Sequence, residues 1–104
     1  VLRGGENVYC AEVEACIYRH PAVAEVCVFG VADERLDEEV GVAVLLHHGH
    51  ELTAVELRAH CEDIIAKHKV PRYIWFLDKP IPRNANGKYL KRELKEPLRI
   101  EAAK

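Results

Sequence analysis

Two apolar runs in the first half of the chain constrain the fold most strongly. They cover residues 23–31 and 40–46, and both are rich in valine. Neither run alternates strictly between apolar and polar residues, which is typical of strands buried on both faces of a sheet. The connection between them, residues 32–39, is mostly charged, and we expect a solvated loop there. The pattern therefore predicts an antiparallel pair of buried strands.

A capped amphipathic segment predicts the helix that covers this sheet. Thr53 and Glu56 have the spacing of a capping box, in which each side chain bonds the backbone of the other residue. Apolar residues then recur with helical spacing, as they do before Pro21, which ends an earlier helix. We expect helices near residues 10–19 and 53–67, strands at about 24–31, 40–46 and 73–77, and a short helix over 89–96.

These elements predict an α+β domain with a small, mainly antiparallel three-stranded sheet flanked by helices. Gly4 and Gly5 stand between two short extended segments, which predicts an N-terminal β-ribbon. With 104 residues, of which 49% are hydrophobic, the chain is long enough for one domain with a modest core. The absence of methionine suggests that it is a piece of a longer protein.

Composition and cysteine spacing exclude several classes of function. The formal net charge is −2, which argues against a nucleic-acid surface. The four cysteines lie in apolar runs without CxxC spacing, and we interpret them as reduced core residues. No stretch approaches the roughly 20 apolar residues of a membrane span, and the first residues do not resemble a signal peptide. We therefore expect a cytoplasmic protein without a transmembrane segment.

Three histidines, His47, His48 and His50, raise the hypothesis of a metal site. Zinc sites usually draw ligands from spaced positions on rigid elements, and no cysteine or carboxylate pattern accompanies these histidines. We favour a loop tip between a strand and a helix, and we predict no metal ligands.

Residues 82–88, with the sequence PRNANGK, are the best functional clue. Proline and Asn-Gly favour a tight turn, so Asn86 and Gly87 are expected to shape an exposed loop that ends in Lys88. The ammonium of Lys88 suits phosphate or carboxylate oxygens. Considered alone, the loop favours a solvated Lys88 over a functional one. The motifs in the rest of the chain are needed to choose between these two interpretations.

The order of motifs along almost the whole chain favours a functional role for Lys88. They are RGGEN, CAEVEA, VAEVCVFGVADERLDEEV, the capped helix, KVPRYIWFLDKPIPRNANGK and LKRELKE. Together they resemble the small C-terminal domain of the acyl- and aryl-CoA synthetases of the adenylate-forming superfamily, with a likeness to fatty-acid-CoA ligases. Three positions depart from the usual family pattern: Cys10 and Ala32 replace prolines, and Asp37 replaces a glycine.

The resemblance implies that residues 1–104 are a single C-terminal lid domain and that a large N-terminal domain, which binds ATP and the acid, is absent. It implies that Lys88 touches the carboxylate and the α-phosphate while the acyl-adenylate forms. The domain would then rotate and present Arg3, Gly4 and Gly5 to the pantetheine tunnel, where the thiol attacks. Asn7 matches a position near the adenylate.

The resemblance also implies the substrates and partners. ATP and CoA are expected as substrates and Mg²⁺ as a requirement of the full-length enzyme, with none of them bound by this domain alone. The acid would be fatty or otherwise apolar, and the isolated chain would be inactive. Two alternatives stay open: an adenylation domain that loads a carrier-protein thiol, and a non-catalytic α+β interaction module. The oligomeric state cannot be deduced.

Overall fold

The structure is a computed structural model that describes residues 2–3, 6–35, 37–87, 89–90, 93–94, 98 and 103. In chain order, its elements are β1 (Leu2–Arg3), β2 (Glu6–Asn7), α1 (Cys10–Tyr18), β3 (Val23–Asp33), β4 (Asp37–Leu46), α2 (Ala54–Glu62), a 3₁₀ turn (Lys67–Lys69) and β5 (Tyr73–Leu77). This arrangement confirms the predicted α+β fold, its three main strands and its N-terminal ribbon.

Strand β4 is the centre of the sheet. Along one edge it pairs antiparallel with β3, from Asp33 opposite Asp37 to Val23 opposite Leu46. Its other edge pairs with β5 over residues 41–45 and with β1 at Asp37. The β4–β5 pair is parallel, since α2 and the 3₁₀ turn return the chain to the start of the sheet before β5 begins. The sheet is therefore mixed, with one parallel pair.

The charged connection between the first two main strands is shorter than predicted. We expected a solvated loop over residues 32–39, but β3 continues to Asp33 and β4 begins at Asp37. Ladder hydrogen bonds join backbone groups, so polar side chains do not stop two strands from pairing. Glu39, which we placed in the loop, is buried, and its Oε1 accepts a hydrogen bond from the Val40 amide at 3.1 Å.

Asp37 has a backbone conformation that L-residues rarely adopt. Its φ is 66°, and no other non-glycine residue in the described part of the chain has a positive φ. This is the position at which the resembling family usually has glycine, which adopts such angles without steric cost. The departure from the family pattern therefore places an aspartate in a left-handed conformation at the first residue of β4.

Both faces of the sheet are covered, as the apolar runs predicted. On one face, α1 and α2 pack on alternate strand residues in a cluster that includes Val13, Ile17, Val26, Val28, Val42, Val44, Leu57 and Ile74. The other face carries Cys27, Phe29, Ala43, Trp75, Ile81 and Leu94. Phe29 and Trp75 stack with ring centroids 5.6 Å apart, and we call this pair the aromatic stack.

Helix α2 ends earlier than predicted. We expected it to reach residue 67, but it ends at Glu62, and Asp63 is its C-cap with φ −77°. The predicted apolar stripe included Ile64, whose side chain is 37% exposed, so packing does not extend the helix past this turn. The predicted start was correct, because Thr53 and Glu56 form both hydrogen bonds of the capping box, at 3.0 and 3.1 Å.

The four cysteines are free thiols, as predicted, and Cys16, Cys27 and Cys61 are core residues, whereas Cys10 is only partly buried at the edge of the core. Cys16 on α1 and Cys61 on α2 are buried and hydrogen-bond each other through their side chains. Burial raises the pKa of Cys16, and it raises the pKa of Cys61 to about 12. In the described residues, no helix is long and apolar enough to cross a membrane.

Candidate functional site

The segment before Lys88 is a closed turn. Arg83 and Tyr89 form an antiparallel bridge, and the Leu90 amide donates to the Pro82 carbonyl at 2.8 Å. Inside this bridge, the Asn84 carbonyl accepts from the Gly87 amide, and the Asn84 Oδ1 accepts from the Asn86 amide, both at 2.9 Å. Lys88 itself lies outside the described residues. The neighbours on both sides of it therefore belong to one compact turn.

Glycine suits position 87 because of its backbone conformation, and not because a side chain would clash there. Its φ is 79°, and a Cβ built on it would meet nothing within 4 Å. The turn residues 83–87 are exposed. The structure thus places Asn86 and Gly87 in an exposed turn with a left-handed residue directly before Lys88, while their role in shaping the site stays a prediction.

Four side chains fix both ends of this turn to the body of the domain. Arg83 Nη2 donates to the Tyr89 hydroxyl at 3.0 Å and to Glu25 Oε1 on β3 at 3.2 Å. The Tyr89 hydroxyl shares a further hydrogen bond with the Tyr18 hydroxyl on α1, at 3.1 Å. The Arg83 guanidinium also lies over the Tyr89 ring, 4.7 Å from its centroid. We call Arg83, Tyr89, Tyr18 and Glu25 the loop anchor.

Two further observations define the chemistry of the loop anchor. Glu25 Oε1 also accepts from the Ile81 amide at 3.2 Å, so one carboxylate oxygen holds two points of the segment that leads into the turn. Burial raises the pKa of Tyr89 to about 12, and the hydrogen bond between its hydroxyl and that of Tyr18 adds to the increase. Tyr89 therefore keeps its proton throughout the physiological pH range and acts as a neutral hydroxyl.

The N-terminal ribbon holds the other predicted site residues. Its register pairs Leu2 with Asn7 and Arg3 with Glu6, and Arg3 lies opposite Asp37 at the start of β4. Gly4 and Gly5, as well as the side chains of Arg3 and Asn7, lie outside what the structure describes. The backbone therefore places the ribbon beside the turn that joins β3 and β4.

The ribbon and the Lys88 turn are attached to opposite ends of the β3–β4 hairpin. The ribbon joins β4 at Asp37, whereas the loop anchor reaches Glu25, whose partner on β4 is Leu45. Asp37 and Leu45 are eight residues apart on one strand, which corresponds to roughly 26 Å. The described attachment points of the ribbon and of the turn before Lys88 therefore lie far apart on the sheet.

The described residues offer no metal centre. His47, His48 and His50 lie in an exposed turn after β4, and no group of three or more histidines, cysteines or acidic residues in the described ranges is arranged to hold an ion. The rings of His47 and His50 contact each other at a tilt, with centroids 5.8 Å apart. We therefore assign none of the described residues to Mg²⁺.

The sequence did not reveal the loop anchor. Tyr18 and Tyr89 come from helix and turn segments that are far apart in the chain, and nothing in the local pattern shows that their hydroxyls meet. We also expected a helix from residue 89, but Tyr89 is in the bridge with Arg83. The described helical residues in this region are Glu93 and Leu94, and the Leu94 amide bonds the Leu90 carbonyl at 3.1 Å.

Comparison with known proteins agrees with this architecture. A medium-chain acyl-CoA ligase, the mitochondrial ACSF2 of Danio rerio, is 45% identical over 96 residues, which are 92% of this chain and 16% of that protein. The putative acyl-CoA synthetase YngI of Bacillus subtilis is 44% identical over 92% of this chain and 17% of its own length. The chain thus spans about a sixth of the length of these relatives.

A solved structure with the same fold is the o-succinylbenzoate CoA synthetase MenE of Bacillus subtilis in complex with its acyl-adenylate intermediate. The TM-score is 0.84 at 39% identity, over 95% of this chain and 20% of that one. The model of the AMP-binding enzyme C-terminal domain matches residues 12–88, which include β3, β4, α2, β5 and the turn up to Lys88. This chain therefore belongs to the family of AMP-binding enzyme C-terminal domains.

Proposed function

We propose that this chain is the mobile C-terminal domain of an ATP-dependent acyl-CoA ligase. In the first step, a carboxylate attacks the α-phosphate of ATP, which gives an acyl-adenylate and releases pyrophosphate. In the second step, the CoA thiol attacks the acyl carbon, which gives the acyl-CoA, AMP and a proton. The observation that carries this proposal is the attachment of the Lys88 turn and the ribbon to opposite ends of one hairpin.

Lys88 would act in the first step. An ammonium that contacts the carboxylate and the α-phosphate stabilises the negative charge that develops as the new bond to phosphorus forms. One preorganised donor of this kind contributes about 3 kcal/mol to transition-state stabilisation when the site is closed to water. The closed turn supports this role, because it fixes the residues on both sides of Lys88 before substrate arrives.

The ribbon would act in the second step. Gly4 and Gly5 lack side chains, so their backbone suits close contact with a pantetheine chain, with Arg3 beside them. Asn7, which pairs with Leu2 across the ribbon, would contact the adenylate. The relatives named above are CoA ligases, which supports CoA and not a carrier-protein thiol as the acceptor.

The separation of the two attachment points on β4 supports the proposed mobility. Segments that attach to one strand roughly 26 Å apart are poorly placed to contact the same reacting carbon in one orientation of the domain. The two steps share this carbon, so the domain would rotate between them and present first the turn and then the ribbon. ATP, its Mg²⁺ and the acid would bind to a large N-terminal domain of the same protein, and CoA would enter where the ribbon faces that domain.

The acid in this proposal is fatty or otherwise apolar. The name of the ACSF2 relative, a medium-chain acyl-CoA ligase, supports this class. We keep the cytoplasmic location as a prediction, and we expect the isolated 104-residue chain to be inactive because it contributes one domain of the two.

The test joins this segment to its natural upstream sequence and measures acid-dependent ATP–pyrophosphate exchange with medium-chain fatty acids. Lys88→Ala should lower the exchange rate by about a hundredfold, in line with the loss of about 3 kcal/mol. The matched control is Lys67→Ala, which removes an exposed lysine from the 3₁₀ turn and should leave the rate unchanged.

Three results would contradict parts of this proposal. Exchange that is equal in wild type and Lys88→Ala would remove Lys88 from the first step. Acyl transfer to a phosphopantetheinyl carrier protein but not to CoA would assign the alternative acceptor. No exchange with any carboxylic acid in the joined protein would favour an interaction module without catalysis.

A further inference from the structure

The loop anchor holds the turn before Lys88 from both sides. Arg83 lies before the turn and Tyr89 directly follows Lys88, and the two side chains bond each other at 3.0 Å. Beyond this pair, Tyr18 ties Tyr89 to the last residue of α1, and Glu25 ties Arg83 to β3. Two separate elements of the domain therefore determine where this turn lies.

We propose that Tyr18 and Tyr89 are positioning residues that, with Arg83, hold the Lys88 turn in the geometry required for acyl-adenylate formation. This inference rests on the proposed function and extends it to residues that do not touch substrate. It assigns to the two tyrosine hydroxyls the task of linking the turn to α1.

The exposure of Tyr18 and Arg83 within the loop anchor argues against a large contribution of their contacts to general stability. Tyr18 is 45% exposed, and the Arg83 side chain of the Arg83–Glu25 ion pair is 44% exposed. Exposed ion pairs and hydrogen bonds contribute little to folding, because water competes for the same groups. The backbone bonds inside the turn already close it locally, so the anchor adds a fixed position relative to α1 and β3.

A fixed position has a direct consequence for catalysis. A lysine on a turn that moves against the domain loses conformational freedom each time it engages substrate, and this cost raises the barrier of the step that uses it. The thioester-forming step, which the ribbon would serve, does not use the turn. Loss of the anchor should therefore slow the first step and spare the second.

The experiment uses the full-length protein and removes one hydroxyl at a time. Tyr89→Phe keeps the ring that lies under Arg83 but loses the hydrogen bonds to Arg83 and Tyr18. Tyr18→Phe loses only the bond to Tyr89. Each variant is assayed for ATP–pyrophosphate exchange and, separately, for acyl-CoA formation from a supplied acyl-adenylate and CoA.

We expect kcat for exchange to fall about three- to tenfold in Tyr18→Phe and at least as much in Tyr89→Phe, the range for the loss of one hydrogen bond. KM for ATP and the rate of acyl-CoA formation should stay within twofold of wild type. Because the two variants lose the same Tyr18–Tyr89 bond, Tyr18→Phe should have no further effect in a Tyr89→Phe background. Tyr73→Phe is the matched control, at the end of β5 that is distant from the turn.

The outcomes separate the inference from the function on which it rests. If Lys88→Ala abolishes exchange and both tyrosine variants exchange like wild type, the positioning role is overturned and the proposed function stands. Equal losses in both half-reactions, together with a lower melting temperature, would assign the tyrosines to stability alone and also overturn it. If Lys88→Ala exchanges normally, the proposed function and this inference fail together.

Discussion

Replacement of Asp37 by glycine should make this domain more stable. Asp37 has φ 66°, and an ordinary L-residue in this conformation costs roughly 1–2 kcal/mol. Glycine removes this cost, but it also lowers the free energy of unfolding by about 0.5–1 kcal/mol, because the unfolded chain has more conformational freedom at a glycine. The difference is about 0–1.5 kcal/mol, and its middle predicts that Asp37→Gly raises the free energy of unfolding by about 0.5–1 kcal/mol. For a domain of this size, the melting temperature should increase by about 2–8 °C.

The assay is thermal and urea unfolding of the 104-residue chain, followed by far-ultraviolet circular dichroism. The matched control is Asp63→Gly, which makes the same chemical change at an exposed position where φ is −77°. At a negative φ, glycine brings no steric relief, so Asp63→Gly should lower the free energy of unfolding by about 0.5–1 kcal/mol. The two substitutions are thus expected to have opposite signs.

Opposite signs are expected only if the left-handed conformation of Asp37 costs the folded state free energy. If Asp37→Gly is as destabilising as Asp63→Gly, the left-handed conformation is not a cost to the folded state. A further variant, Asp37→Ala, keeps a Cβ and removes the polar atoms that help aspartate to adopt such angles. It should be less stable than wild type, and an Asp37→Ala domain as stable as Asp37→Gly would refute the argument by a second route.

Four further predictions concern the fold. Cys10→Pro should raise the free energy of unfolding by about 0.5 kcal/mol in urea titrations, because Cys10 is the first residue of α1, where proline is preorganised. Gly41→Ala should lower it by about 1–3 kcal/mol, because the new Cβ would lie 2.6 Å from Val31 Cγ2 and would meet the aromatic stack at 3.1 and 3.2 Å. Thr53→Ala should cost about 1 kcal/mol through the loss of the α2 cap, measured in the same way. Because burial raises the pKa of Cys61 from 9.0 to about 12, its thiol contributes stability below pH 9 that is lost as the pH rises toward 12. Unfolding at pH 8 and pH 10 should show a larger loss in wild type than in Cys61→Ala.

Periodicity and capping predicted the elements that local sequence determines. The valine-rich strands were recognisable because both faces of the sheet are covered, one by the helices and the other by the segment after β5, which contributes Ile81 and Leu94. The start of α2 was predictable because Thr53 and Glu56 satisfy each other within one turn of chain. The family resemblance, carried by motifs along the whole chain, supplied the rest of the fold.

Contacts between segments that are brought together only by the fold were not predictable from local sequence. The continuation of β3 and β4 through charged residues depends on backbone hydrogen bonds, which side-chain polarity does not report. Likewise, the bond between Tyr18 and Tyr89 forms only after α1 and the turn have been placed on the same sheet. The left-handed angle at Asp37 was not predicted, because the departure from the usual glycine was noted without a backbone conformation being inferred from it.

The central position of β4 affects the order in which the strands of this domain can pair while the chain is being synthesised on the ribosome. The β3–β4 hairpin consists of neighbouring segments and can form as soon as residue 46 has emerged. Its other edge stays unpaired over residues 41–45 until α2 has been made and β5 follows. During this interval the nascent chain exposes an apolar strand edge, which can pair with another chain. A nascent chain that ends before residue 73 should therefore depend on chaperones, whereas one that includes β5 should not.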